Sequence, residues 1–333
     1  MNIFDVIGLD ILYIICQLLS SDRDKRRFIA TCKITLCLQE KMYYKKIYDY
    51  EKIMLLSYLD KFKNISFTIR NDEDIIPEMI THLIIGKNFD VRKLKQPGFV
   101  PISVTNLRFE KCFNKYIGPN FIPDHITHIT FGKHFNQFIY IGTLPKNLIH
   151  LTFGRHFNKY FGKNVLPESL QYLIFKDNFC QSFSPNVLPK KLKVLVLGAK
   201  YNQETEFPAE LKQLTFGRFF NEPIKQNSLP KNLTHLTFKH EFNQPIEPGI
   251  LPENLTHLTF GTRFWQEIKP GILPENLTHL IFGRDFCQKF KPGDLPENLK
   301  HLTLGKYYIE KYERNDLPKN IRKCLNFGYL SGR

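Results

Sequence analysis

The sequence predicts a repeat solenoid with one short parallel β-strand per unit of about 22 residues, preceded by a small N-terminal α-helical module. Three observations predict it. Twelve prolines keep time along the chain: Pro77, Pro101, Pro123, Pro145, Pro167, Pro189, Pro208, Pro230, Pro252, Pro274, Pro296 and Pro318. Nine of their eleven intervals are 22 residues, the first is 24, and the one from Pro189 to Pro208 is 19. Large apolar residues hold fixed offsets from each proline, as in Leu255, Leu258, Phe260, Phe264, Ile268 and Leu273 after Pro252. The first 50 residues, by contrast, contain neither a proline nor a copy of the repeat.

The N-terminal stretch Leu9-Asp10-Ile11-Leu12-Tyr13-Ile14-Ile15-Cys16-Gln17-Leu18-Leu19 reads as a short, very apolar helix. Ser20-Ser21-Asp22 supplies capping groups for a second helix through Phe28 to about Cys32. A helix apolar on nearly every side is costly to leave in water, so the solenoid or a partner is expected to cover it. Residues 51–75 join this module to the repeats, and Phe62, Ile65 and Phe67 echo the repeat without its proline. A degenerate first unit of this kind is what a terminal repeat requires. The expected division is therefore 1–48 for the helical module, 49–75 for the connector and first unit, and 76–333 for about 11 units and a C-terminal cap that decays from Leu317-Pro318 through Ile321 and Cys324.

Within a unit, Leu258-Thr259-Phe260 alternates apolar with polar, the period of a half-buried strand. Leu258 and Phe260 should point inward, His257 and Thr259 outward. The glycine that follows (Gly132, Gly154, Gly217, Gly261, Gly283) suits a tight bend. Proline ahead of the strand forfeits no ladder bond. The slot after the second phenylalanine holds Asn114, Asn136, Asn158, Asn202, Asn221 and Asn243, with Cys180, Cys287 and Asp90 as substitutes. Because Cys shares the slot, it is expected to be buried, its asparagines bonding backbone in the next unit. Trp265 and Ile309 interrupt it. One unit cannot fold alone, since each must bury its faces on its neighbours.

The outward position five residues after the proline gathers histidines: His82, His128, His150, His235, His257, His279 and His301. In register they form a column. Imidazoles in a column suit Zn or Cu, but no carboxylate or thiolate recurs beside them, so a neutral stacked ladder is the preferred reading. Mild acid should charge and destabilise it. Tyr172, Ile174, Val194 and Val196 interrupt the column with apolar groups next to the 19-residue unit. The candidate partner-binding face is therefore His128, His150, Tyr172, Ile174, Val194, Val196, His235, His257 and His279. The alternative is that the short unit buries the four apolar residues itself.

Net charge is +15, from 47 Lys and Arg against 32 Asp and Glu. Lys133, Arg155, Arg218, Arg263, Arg284 and Lys306 would align as a basic edge able to attract an acidic segment or a nucleic-acid backbone. The abundance of Lys, Asn, Ile, Phe and Tyr also fits a purely compositional bias. Seven single cysteines without a CxxC point to a reducing compartment, with neither disulfide nor zinc. The apolar N-terminal stretch is too short for a membrane span and lacks a signal peptide's basic start. Asn232, Asn254 and Asn276 match glycosylation sequons only because the repeat recurs. No phosphate loop, His-Glu-x-x-His, nucleophile elbow or carboxylate pair is present, so no enzyme activity and no cofactor are expected.

Two resemblances add to this. Leu-x-x-Leu-x-Phe with its Asn/Cys slot is similar to the leucine-rich repeat. Phe242-Asn243-Gln244-Pro245-Ile246 and Phe220-Asn221-Glu222-Pro223-Ile224 resemble the FNIP repeat more closely, in register over residues 76 to about 320. Phe264-Trp265-Gln266-Glu267-Ile268 and Phe286-Cys287-Gln288-Lys289-Phe290 depart from it. The FNIP family is known from social amoebae and giant DNA viruses, whose members often carry an F-box first. Asp10-Ile11-Leu12, Ile15, Leu19-Ser20, Phe28 and Cys32-Lys33 fall where an F-box places comparable residues, although Leu9 stands in the usual Pro slot and the terminal Trp is missing. The resemblance implies a substrate-recognition subunit of a cullin–RING (SCF-type) ubiquitin ligase. Leu9, Ile11, Leu12, Ile15, Leu19 and Phe28 would dock a Skp-type adaptor, while the repeats hold an unknown target protein. It further implies an intracellular, cytoplasmic protein, in host cytoplasm if viral, monomeric outside that complex. The competing readings are an interaction solenoid whose helices only cap it, and a basic rod that binds nucleic acid.

Overall fold

The computed structural model describes residues 9–31, 38, 42–312 and 325–326. The fold is a parallel β-solenoid with a few N-terminal helices. The chain divides into two compact units, Met1–Arg108 and Phe109–Arg333.

In the first unit, α1 (Leu9–Leu18) precedes α2 (Asp22–Ile29), whose N-cap Ser21 accepts from the Asp24 N–H at 3.1 Å. Then come β1 (Tyr44–Asp49), the helical turn α3 (Tyr50–Ile53), β2 (Phe62–Ile69) and β3 (His82–Ile85). β2 pairs in parallel with β3, Phe67 opposite Leu83. β1 also pairs with β2 and was not foreseen, because its Tyr-Lys-Lys-Ile-Tyr-Asp run carries neither proline nor leucine at repeat spacing. One buried carboxylate fastens the helices to it. Asp22 accepts from the backbone N–H of Lys46 (2.7 Å) and Lys45 (3.4 Å) and from the Tyr48 hydroxyl (3.2 Å). Its charge is thus matched by donors and does not lie unpaired in the interior. β4 (Asn106–Phe109) spans the boundary between the units.

The second unit stacks β5 (His128–Thr130), β6 (His150–Thr152), β7 (Tyr172–Ile174), β8 (Val194–Val196), β9 (Gln213–Thr215), β10 (His235–Thr237), β11 (His257–Thr259), β12 (His279–Ile281) and β13 (His301–Thr303). Register is exact in the sense that equivalent residues face each other: Leu151 with Leu173, Leu195 with Leu214, Leu236 with Leu258. After β13 the chain forms α4 (Lys306–Lys311), which absorbs Ile309, and β14 (Leu325–Asn326) pairs with β13. The remainder of the predicted C-terminal cap, including Pro318, Ile321 and Cys324, lies outside the described residues.

Each offset has its predicted burial. Leu255, Leu258, Phe260, Phe264, Ile268 and Leu273 are all buried. Equivalent phenylalanines make two columns of near-parallel rings, Phe131, Phe153 and Phe175 at 5.2 and 5.4 Å, and Phe135, Phe157 and Phe179 at 6.2 Å. Such offset pairs add roughly 0.5–1.5 kcal/mol each beyond area burial. Proline opens each unit as the first residue of a turn, its carbonyl accepting from the leucine three residues on, as in Leu148 N–H to Pro145 O at 3.1 Å.

One sequence reading needs correction. The asparagine slot is a ladder, with Asn136 N–H donating to Asn114 Oδ1 (2.8 Å), Asn158 to Asn136 (2.9 Å) and Asn243 to Asn221 (2.8 Å). It is not buried, however: Asn114 and Asn221 are exposed and the others half-exposed. The phenylalanine column fills the interior, so the polar slot beside it falls at the edge. The glycine that follows most strands sits, as expected, where no side chain is wanted, and close approach rather than its backbone angles requires it. A Cβ on Gly154 would lie 1.9 Å from Gly132 O, and one on Gly261 only 1.4 Å from Lys239 O.

Candidate interaction surfaces

α1 is divided lengthwise. Leu12 and Cys16 are fully buried, whereas Ile11, Ile14, Ile15 and Leu18 are 55, 56, 36 and 80% exposed. These four fall at i, i+3, i+4 and i+7, one continuous stripe on one helix face. Of the predicted docking residues, Ile11 and Ile15 lie on this stripe and Leu19 and Phe28 are half-buried. Leu12 belongs to the core, because the α1 face it shares with Cys16 is the one turned to the rest of the unit. Leu9 lies in α1 with its side chain outside the described atoms, and Cys32-Lys33 are outside the described residues. The exposed stripe also holds Ile14 and Leu18, which the helical spacing from Ile11 places beside it.

The outward sheet face of the second unit is a set of columns. His128 stacks on His150 at 4.3 Å and His150 on Tyr172 at 3.8 Å; His235, His257, His279 and His301 follow at 4.1, 4.1 and 4.3 Å. Threonine fixes their protonation. Thr256 Oγ1 donates its one hydrogen to Thr234 O (3.1 Å) and so can only accept from His257 Nδ1 (2.9 Å). Thr278 does the same for His279, and Thr234 for His235. Nδ1 therefore carries the proton and Nε2 is left as an acceptor. Burial holds His128, His150, His235, His257 and His279 below the ordinary imidazole value, and in all but His128 another imidazole of the column adds to the effect.

Tyr172, Ile174, Val194 and Val196 continue these columns and are half-buried, as the histidines are. Tyr172 faces Val194 and Ile174 faces Val196, so the four form one contiguous patch. The short unit does not bury them. The expected basic edge is largely neutralised: Arg155 pairs with Asp177 (2.6 Å), Arg263 with Glu241 (2.7 Å), Arg284 with Asp285 (3.1 Å) and Lys306 with Glu310 (3.5 Å). The sequon residues are structural. Asn232 and Asn254 Nδ2 bond to carbonyls of the preceding turn, Ala209 O and Lys231 O, at 3.0 and 2.9 Å. No helix among the described residues is long and apolar enough to cross a membrane.

These features define a leucine-rich-repeat-like solenoid built of copied turns. The model of the FNIP repeat matches residues 113–156, 157–200, 201–240, 242–285 and 286–330, and the chain belongs to that family. It is similar to two proteins of Acanthamoeba polyphaga mimivirus. "Putative F-box protein L168" is 39% identical over 114 residues, 34% of this chain and 50% of the relative. "Putative FNIP repeat-containing protein R636" is 32% identical over 126 residues, 34% of this chain and 32% of the relative. The chain thus matches half or less of those relatives' length. Among solved structures, CroV588, described as a novel circular LRR protein, superimposes with a TM-score of 0.63 at 35% identity, covering 77% of this chain and 45% of that one.

Proposed function

We propose that this chain is a substrate-recognition subunit of a cullin–RING ubiquitin ligase. α1 docks a Skp-type adaptor and the repeats hold a target protein. The observation that carries the reading is the Ile11, Ile14, Ile15 and Leu18 stripe. Helices that serve only as a cap turn their apolar side inward, and here Leu12 and Cys16 already do so. A second apolar stripe left in water is the mark of a helix that enters a groove. The name of the mimivirus relative supports the same assignment. The residues proposed for adaptor contact are Ile11, Ile14, Ile15 and Leu18, with Leu19 and Phe28 beside them. Target binding is placed on the sheet face around Tyr172, Ile174, Val194 and Val196. In this reading the chain binds and does not catalyse, because its recurring polar residues are committed to ladders. It works inside the cell, where cullin–RING ligases act.

The test is capture of a purified Skp-type adaptor by the full-length chain. Ile14→Asp with Leu18→Asp should abolish capture while leaving the circular-dichroism spectrum and thermal midpoint unchanged. Failure of the wild-type chain to capture any Skp-type adaptor, or equal capture by the double variant, overturns the proposal.

A further inference from the structure

The 19-residue unit has lost a definite piece of the repeat. Between the Asn slot and the next proline, the following unit runs Glu222 to Leu229, eight residues; the short unit has only Gln203 to Phe207, five. What is missing includes the buried apolar residue seen as Phe183 in one neighbouring unit and Ile224 in the other. It also includes the left-handed turn residue, Asn186 or Asn227, with φ of 61° in both. Phe161 stacks on Phe183 at 6.4 Å in the column above, and the short unit offers no successor. The result is a cleft of about 660 Å³ walled by Phe183, Phe207, Phe216, Phe220, Ile224 and Leu229. That size is typical of a ligand site.

The cleft is held open by its own loop. Tyr201 replaces the usual phenylalanine, stacks on Phe179 at 6.1 Å, and its buried hydroxyl is bonded to Thr205 of the shortened segment. Asn202 Nδ2 donates to Glu222 (2.5 Å), and Lys225 Nζ pairs with Glu204 (2.7 Å). The mouth carries three carboxylates, Glu204, Glu206 and Glu222, against the one ammonium of Lys225. Glu206 is exposed and has no hydrogen-bond partner among the described residues. In a chain of net charge +15 this is a local reversal of sign over an apolar floor.

We infer that the cleft binds a peptide segment of a partner protein that presents a large apolar side chain next to a lysine or arginine. The apolar group replaces the side chain the short unit lacks, and the cation meets the Glu204, Glu206 and Glu222 carboxylates. This deepens the reading of the repeats as a target-binding module and is independent of α1.

The experiment uses fluorescein-labelled acetyl octapeptides with a central Phe-Arg, Phe-Glu or Gly-Arg pair in a Gly-Ser background, titrated with the full-length chain by fluorescence anisotropy. Phe-Arg should bind at least about tenfold more tightly than either of the others. Glu204→Gln with Glu206→Gln, both at exposed positions, should weaken it about five- to tenfold with an unchanged circular-dichroism spectrum. A three-residue insertion after Glu204, restoring the 22-residue unit, should remove binding. Phe-Glu binding equal to Phe-Arg, no saturation by Phe-Arg below about 1 mM, or wild-type affinity in the double variant overturns the inference. So does free spermidine displacing the peptide at equal concentration, which would mark a small-molecule cation site. Adaptor capture reads the ligase proposal separately: peptides that fail while capture persists sink only the cleft.

Discussion

The two kinds of glycine in this chain should respond differently to one added methyl group. At Gly261 the added Cβ falls 1.4 Å from Lys239 O and 2.2 Å from Lys239 C. Relief to ordinary contact requires the two turns to part locally by roughly 1.5 Å or more. That displacement breaks the flanking bonds Phe238 N–H to Thr259 O (2.8 Å) and Arg263 N–H to His240 O (2.9 Å), and it loosens the Phe238–Phe260 stack. Two bonds at about 1 kcal/mol each and one ring pair at about 1 kcal/mol give a cost near 3 kcal/mol for Gly261→Ala. Gly249 has φ of 80° and nothing within 4 Å of a built Cβ, so Gly249→Ala meets only left-handed strain, about 1 kcal/mol. Gly249→Asn should be close to neutral, because Asn120, Asn164, Asn186 and Asn227 hold left-handed backbone in this same chain. Urea denaturation followed through Trp265, the one tryptophan and four residues from Gly261, reads this turn directly. A Gly261→Ala variant within about 0.5 kcal/mol of wild type, or as costly as Gly249→Ala, would refute the steric argument.

Three further outcomes are expected. The folded pKa values of His128, His150, His235, His257 and His279 lie below the ordinary 6.5, so the unfolded chain takes up protons that the ladder refuses. Their contribution is fully present above about pH 6.5 and is lost as pH falls through it; a urea midpoint unchanged between about pH 7.5 and 5.5 would contradict this. Asn243→Ala removes the acceptor for Trp265 N–H (3.0 Å) and Gln266 Nε2 (3.3 Å), costing about 1 kcal/mol and speeding exchange of the Trp265 amide. Paired Tyr172→Glu and Val194→Glu should leave the thermal midpoint within a few degrees of wild type, whereas Leu173→Glu, at a fully buried position, should unfold the surrounding turns; equal losses would make the patch part of the core.

The solenoid was legible because its rule is written many times. Each of Leu255, Leu258, Phe260, Phe264, Ile268 and Leu273 can be checked against equivalents 22 residues away, so a chance pattern is excluded within one chain. Features that occur once were harder. β1 has no copy, and its Lys45 N–H donates to Asp22, 23 residues upstream. The division of α1 was also hidden: Ile11 and Leu12 are equally apolar, and only packing separates an exposed residue from a buried one. The asparagine slot reads as a ladder from the sequence, but its Cys substitutes do not mark burial. Cys180 is half-exposed, its N–H bonding to Asn158 Oδ1 at 3.0 Å. In that slot each residue donates its backbone N–H to a side-chain oxygen one turn earlier, so any residue type can donate, while accepting from the next turn needs a side-chain oxygen such as that of Asn.

That asymmetry separates the structural residues from the specific ones. A residue shared by most turns is explained by its column: Gly261 by the carbonyl above it, Thr256 by the bond it makes to Thr234 O, Asn254 by its bond to Lys231 O. Such residues cannot distinguish one family member from another, because stacking requires them in all. Selectivity must therefore sit where copies disagree. In this chain Trp265, Cys287 and Ile309 stand apart, but one group of disagreements adjoins: Tyr172, Ile174, Val194 and Val196 interrupt the outward columns, Tyr201 replaces a phenylalanine, and the unit shortens at Gln203 to Phe207. These positions lie in adjacent turns, within 36 residues of chain in the 22-residue frame. On the proposed reading, the half-exposed apolar patch and the sign-reversed cleft put the partner on the turns from Pro167 to Pro230, the part to alter when binding is to be changed without unfolding the solenoid.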